Sequence, residues 1–262
     1  MNNLKLSATM KILFSTLVIL SIFSINLIGQ NVSNSSKIEF GFSIKINSEY
    51  LNDSVKLLIH QPRNYKPDKE YPIITLLDAK SSYKAFTACA ELMAKEGSIP
   101  ACIVVGFPQN KYANSDSTNL ESNMDRVAKF IDQELFSYLK SKYNFSKSII
   151  WGQGSQSGLM TTYLMLKYPD LFNGYISDVP DLSLMHDIAY SEQAFLKIKN
   201  KNISYYLFGH STANILNNTF LENLKTNAPE GLNWNYNISE EQNSTIHYLN
   251  NYMHSLELFL NR

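Results

Sequence analysis

Ser148-Ile149-Ile150-Trp151-Gly152-Gln153-Gly154-Ser155-Gln156-Ser157-Gly158-Leu159 joins a short apolar run to a helical pattern through a stretch of small residues. Ser148 to Trp151 reads as a strand, and Gly158 to Tyr168 as a helix that stops at Pro169. A serine at a sharp strand-to-helix turn can present its hydroxyl as a nucleophile, with N–H groups of the helix start facing a developing oxyanion. Such a turn needs small residues two before and two after the serine. For Ser155 the later position is Ser157, but the earlier one is Gln153, flanked by Gly152 and Gly154. Taken alone, the segment equally suits a Gly/Ser-rich turn with no chemical role.

Working outward, apolar strands alternate with helical patterns. Ser54 to Gln61 alternates through Val55, Leu57 and Ile59. Ile73 to Leu77 and Ala101 to Gly106 are continuous apolar runs, the pattern of strands buried on both faces. Gly174 to Ser177 and Ile203 to Phe208 add two more strands. Helical spacing marks Ser82 to Lys95, Met124 to Lys142, Phe220 to Leu224 and Tyr248 to Leu260. The order predicts an α/β chain whose mostly parallel central sheet carries helices on both faces. The segment 180–202 lies between two core strands and is either a candidate cap insertion or an ordinary connection.

The N-terminus carries Lys5 and Lys11, then an apolar run from Ile12 to Ile28 and a small residue at Gly29. That layout predicts a signal peptide over residues 1–29, a secreted or periplasmic location, and one domain over residues 30–262. An uncleaved anchor is the other reading of the run. No later stretch is long enough to span a membrane. Without Lys5 and Lys11 the balance is 21 basic against 23 acidic residues, which gives no electrostatic footprint for nucleic acid. Cys89 and Cys102 could pair in an oxidising compartment and make a poor zinc site. No metal and no cofactor is expected, since Gly152-Gln153-Gly154 lacks the third glycine and downstream acid of a dinucleotide site.

Several segments together resemble the Putative esterase family of α/β-hydrolases, which includes esterase D and the ferric-enterobactin esterases. Tyr71-Pro72-Ile73-Ile74-Thr75-Leu76-Leu77-Asp78 is similar to the family's "YPVLYLLDG" strand, and Ile99 to Phe107 to its "IPEAIVVGI" strand. Phe130-Ile131-Asp132-Gln133-Glu134-Leu135 followed by Tyr143 resembles its "FL..EL.P.I...Y" helix. Gly158, Leu159, Tyr163, Leu166, Pro169, Asp170 and Phe172 keep the spacing of "S.GGL.ALY..L..PD.F" when counted from Ser155. The resemblance implies an α/β-hydrolase fold and places Ser155, not Ser157, at the nucleophile.

It also implies a histidine base, an acid that orients it, and an oxyanion hole. The hole would use the N–H of Gln156 and a second N–H near Ala79 or Lys80, where Ala79 replaces the family's Gly. In one register His247 is the base; in another Gln242 or Asn243 takes its place and the base is missing. After Gly209 the family has a carboxylate where this chain reads His210-Ser211-Thr212-Ala213-Asn214. Asp178 or Asp181, after the preceding strand, could supply the acid; otherwise the triad is incomplete. His60 and His186 read as structural, and His254 as surface or packing.

Two functions follow. One is a secreted serine hydrolase that cleaves a small-molecule or glycan carboxylic ester, siderophore-like, acyl or sugar-linked, through an acyl-enzyme on Ser155. The other is a pseudoenzyme that keeps the fold for binding. Substrate identity and oligomeric state are left open by the sequence.

Overall fold

The computed structural model describes residues 13, 15–17, 40–108, 119–191, 193–210, 215–240 and 244–261. The chain divides into two units, Met1–Glu39 and Phe40–Arg262. In the first, residues 13 and 15–17 are helical; the rest of the expected signal segment lies outside the described residues. No described helix is long and apolar enough to cross a membrane.

The second unit is an eight-stranded sheet in the order β1-β2-β4-β3-β5-β6-β7-β8. The strands are β1 (Phe42–Ser48), β2 (Asp53–His60), β3 (Ile73–Leu77), β4 (Ile103–Phe107), β5 (Ser148–Gln153), β6 (Gly174–Asp178), β7 (Ile203–His210) and β8 (Leu232–Ser239). β1, β2 and β4 pair antiparallel, and every pairing from β4 through β8 is parallel. The mostly parallel sheet expected from the sequence is present, extended by two edge strands, β1 and β8, that the pattern reading did not include.

All residues of β3, β4 and β6 are buried, as continuous apolar runs require when helices cover both faces. Side chains alternate between two cores. Ile73, Leu77, Ile150 and Tyr175 belong to one, which also takes Val127, Phe130 and Leu139. Those three come from α2 (Leu120–Lys129), a π-turn over Phe130–Leu135, and α3 (Phe136–Lys142). Ile74, Leu76, Ile149, Trp151 and Ile176 belong to the other. There they meet Phe86 and Ala90 of α1 (Ala79–Lys95) and Tyr252, Leu256 and Phe259 of the last helix, α7 (Ser244–Leu260).

Three further helices complete the chain: α4 (Ser155–Lys167), α5 (His186–Ala189) and α6 (Ile215–Asn227). Every residue of α4 from Ser157 to Leu166 is buried, so it is a central helix rather than an amphipathic cover. The segment 180–202 forms a short 3₁₀ turn, Leu182–Met185, then α5 and a series of turns. Its Leu182, Met185, Ala189, Phe195 and Ile198 are buried in the first core, so it packs as a connecting layer.

Strand order sets where a ligand can enter. The chain leaves β3 for β4 on one side and reaches β5 on the other, so a crevice opens beyond the carboxyl ends of β3 and β5. The starts of α1 and α4 meet there. Helix α4 approaches closely because Gly152 has no side chain: a Cβ there would lie 1.9 Å from the Ser157 carbonyl oxygen. Gly154, with φ +84, makes the turn and has open space around it. Gly152→Ala is therefore expected to cost about 3 kcal/mol through overpacking, and Gly154→Ala, in the backbone region that essentially only glycine adopts, about 2 kcal/mol through strain. Urea unfolding of the two variants checks the order; equal losses would refute the close approach at Gly152.

Candidate active site

The turn from β5 to α4 is sharp, but its left-handed residue is Gly154, and Ser155 is the first residue of the helix. The small residue demanded by the close approach is Gly152, three before Ser155, which explains how Gln153 is tolerated. Gln153 faces the opposite side of the sheet, where its Oε1 accepts a hydrogen bond from the Tyr252 hydroxyl at 2.5 Å. Burial first, and then the Asp178 charge, hold the Tyr252 hydroxyl well above its ordinary range, so it serves as a neutral donor. Ser155 and Gln156 are exposed at the crevice.

Asp178 ends β6, directly opposite Gln153 in the ladder. Its carbonyl accepts the Gly154 N–H at 2.9 Å, fixing the turn to the neighbouring strand. Its side chain is fully buried, with His247 3 % and Asn251 2 % exposed beside it. His247 Nε2 lies 3.2 Å from Asp178 Oδ1. Asn251 Nδ2 lies 3.3 Å from the same oxygen and 2.9 Å from His247 Nε2. The two amide hydrogens of Asn251 can serve both neighbours when the His247 proton is on Nδ1; in the other tautomer Nε2–H donates to Asp178. Immediately after Asp178 the chain turns through Val179 at φ +47, a strained conformation for a β-branched residue. The Val179 N–H is bonded to the Phe208 carbonyl at 2.9 Å.

The structure thus brings Asp178 and His247 together and leaves Asp181 apart. Asp181 Oδ1 accepts from the Ser183 N–H and hydroxyl, at 3.2 and 2.5 Å, and its own N–H donates to the Ser155 carbonyl. Among the described residues no hydrogen bond joins the Ser155 hydroxyl to His247. Ala79 is the first residue of α1 and fully buried, behind Asp78 at φ +50. That left-handed residue turns the backbone sharply between β3 and α1. Gln242, Asn243 and the segment 211–214 after β7 lie outside the described residues, as do the side chains of His186 and His210.

Other sequence candidates have structural explanations. His60 is buried, with Nδ1 3.3 Å from the Phe40 carbonyl and Nε2 3.6 Å from Glu91. Desolvation lowers its pKa, and Glu91 and that carbonyl offset only part of the shift. His254 Nε2 bonds the Tyr206 hydroxyl at 2.9 Å. Cys89 and Cys102 are free thiols, both raised by burial, Cys102 to about 12. Neither is an activated thiolate. No metal-binding group is found among the described residues.

The family model described as Putative esterase matches residues 48–213, which spans β2 through β7 and both turns at the crevice. The chain belongs to the Putative esterase family. No curated protein matches it. Among solved structures the fold is shared with an IroE-like serine hydrolase from Shewanella oneidensis, at TM-score 0.72 and 18% identity over 84% of this chain and 80% of that one. The BES protein from Bacillus cereus gives TM-score 0.71 and 16% identity over 88% of this chain and 99% of that one. The enterobactin esterase FES from Shigella flexneri gives TM-score 0.67 and 16% identity over 89% of this chain; the match spans 61% of that longer protein. For this family member, the sequence reading missed Asn251 and Tyr252. The available signal was the spacing of four in His247, Asn251 and Ser255, which sets three polar residues on one face of the helix, all of them buried.

Removing Asp178 would leave buried donors without an acceptor. Asp178→Ala is expected to lose about 3 kcal/mol of unfolding free energy. Asp181→Ala removes only a local turn bond and should lose no more than about 1 kcal/mol. Denaturant titrations of both variants make the comparison. Equal, small losses would show that Asp178 does not anchor the buried cluster.

Proposed function

We propose that this protein is a serine hydrolase of carboxylic esters, with Ser155 as nucleophile, His247 as base and Asp178 as the acid that orients it. The carrying observation is the buried Asp178–His247 contact at 3.2 Å, one ladder position from the turn that presents Ser155. In the reaction, Ser155 Oγ attacks the ester carbonyl and gives its proton to His247, which passes it to the departing alkoxide. Water then cleaves the acyl-enzyme by the reverse proton path. The tautomer required has Nε2–H donating to Asp178 and Nδ1 as the accepting nitrogen. N–H groups at Gln156 and Ala79, both at helix starts, face the developing oxyanion. The mechanism requires a Ser155–His247 hydrogen bond in the substrate complex, where catalytic hydrogen bonds tighten.

The substrate class is a small carboxylic ester, siderophore-like, acyl or sugar-linked. The similarity of fold to an enterobactin esterase supports that range. The basic, apolar N-terminal segment ending at Gly29 supports action outside the cytoplasm.

A second reading, a binding domain that has lost catalysis, is favoured by one specific observation. The left-handed position of the turn, where an elbow carries its nucleophile, is Gly154, which has no side chain. One experiment separates the readings. The purified protein is treated with a fluorophosphonate probe and assayed on short p-nitrophenyl esters, beside Ser155→Ala and His247→Ala. The enzyme reading expects labelling that Ser155→Ala abolishes, and turnover that His247→Ala lowers by about 10³-fold or more. A folded wild type that neither labels nor turns over supports the binding domain, and labelling that survives Ser155→Ala removes Ser155 from its role.

A further inference from the structure

Three polar atoms meet in the sealed corner beneath α7, and no single placing of protons satisfies every contact among them. His247 Nε2 is 3.2 Å from Asp178 Oδ1, and Asn251 Nδ2 is 3.3 Å from the same oxygen. The histidine and the amide approach each other to 2.9 Å. One helical turn separates His247 from Asn251, so α7 holds both on one face, against the carboxyl. All three side chains are buried, so a mismatched contact among them is costly. Asp178 Oδ2 meets no donor among the described residues, so the carboxyl draws its hydrogens through Oδ1 alone.

The supply of hydrogens decides between the arrangements. With the His247 proton on Nδ1, Nε2 is an acceptor, and the two amide hydrogens of Asn251 reach Nε2 and Asp178 Oδ1 separately. With the proton on Nε2 and the amide unchanged, donor faces donor across the shortest of the three contacts. Reversing the amide relieves that contact but sets its oxygen against Asp178 Oδ1, and leaves a single hydrogen for two acceptors. The first arrangement gives each acceptor its own hydrogen. Its remaining cost is the approach of the Nε2 lone pair to Oδ1, which the amide hydrogens bridge.

We propose that Asn251 holds the His247 proton on Nδ1 and so keeps His247 from acting as a base in the resting protein. The inference rests on the serine-hydrolase reading above, in which Nδ1 must take the Ser155 proton. In the held form that nitrogen already carries one. For turnover a proton must leave Nδ1 and one must reach Nε2, where it donates to Asp178 while the Asn251 amide withdraws. Asn251 is therefore a positioning residue, and its amide satisfies the buried carboxyl at the expense of the base beside it. Leucine at this position keeps the branched shape without the donors. Nε2–H is then the hydrogen left to Asp178, and the proton moves there.

Nitrogen-15 NMR of the histidine-labelled full chain, read in the neutral imidazole, tells a protonated ring nitrogen from an unprotonated one. The His247 signals are those missing from His247→Gln. Wild type is expected to carry the proton on Nδ1, and Asn251→Leu to carry it on Nε2. Asn251→Ala repeats the comparison should circular dichroism show that the leucine variant does not fold. Fluorophosphonate labelling is expected to be at least about tenfold faster in the variant, as the competent tautomer becomes the populated one. A wild type protonated at Nε2 overturns the proposal, as does a proton that stays on Nδ1 in the variants. So does a moved proton in a variant that labels no faster than a labelling wild type. A moved proton with no labelling in either protein upholds the hold of Asn251 on the proton and counts against the serine-hydrolase reading alone.

Discussion

Helix α4 rests on the sheet with no side chain between them at Gly152, and much of the site is positioned by that contact. A Cβ at Gly152 would fall 1.9 Å from the Ser157 carbonyl, and one at Gly158 2.9 Å from the Asp178 carbonyl. The helix start is thus pinned to β5 and β6 together. The Gly154 N–H on the Asp178 carbonyl closes the same corner from the other side. Moving any of these pieces moves Ser155, the turn after β6 and the buried carboxyl together. The hydroxyls of Thr161 and Thr162 return to helix carbonyls four residues back, and Thr162 also meets Ser177 and Tyr205, so even the polar groups beneath the helix are absorbed locally.

The other face of that corner is polar where the rest of the core is apolar. Asp178 is sealed beneath α7 by His247 and Asn251 of that helix, and Gln153 and Tyr252 form a second pair beside them. A buried carboxyl is costly unless neighbours donate to it. α7 supplies those neighbours at a spacing of four, which keeps them on one face above Tyr252, Leu256 and Phe259. The same burial that secures Asp178 also limits how readily His247 reaches the crevice. Under the proposed mechanism stability and chemistry would compete for one histidine, and Asn251 touches both members of the pair.

Central strands were legible because burial on both faces leaves a run such as Ile103-Val104-Val105 no polar alternative. Edge strands were not. In β8 the period of two is present, but its polar half is asparagine, a residue that ordinarily signals turns. Helix starts were misjudged in the same direction at both turns: α1 begins at Ala79 rather than Ser82, and α4 at Ser155 rather than Gly158. In each case a left-handed residue, Asp78 or Gly154, lets the helix begin immediately after the strand. Propensity does not record that, because it is set by the tertiary demand to bring two helix starts to one crevice.

Asp178 and Asp181 were equivalent as letters, two carboxyls after one strand, and only the pleat distinguishes them. Asp178 is the last residue of β6 and must point to one side of the sheet, the side α7 covers; Asp181 lies beyond the turn and is spent on Ser183. The elbow shows the converse. Downstream spacing from Gly158 to Phe172 counts back to Ser155, while the steric demand on the strand side is met by Gly152. The two counts differ by one residue, and the structure accommodates it by giving the turn to Gly154 and the first helical position to Ser155. The hydroxyl therefore stands on the helix rather than at the apex of the turn, and in the proposed mechanism its distance from His247 is the quantity on which catalysis would depend.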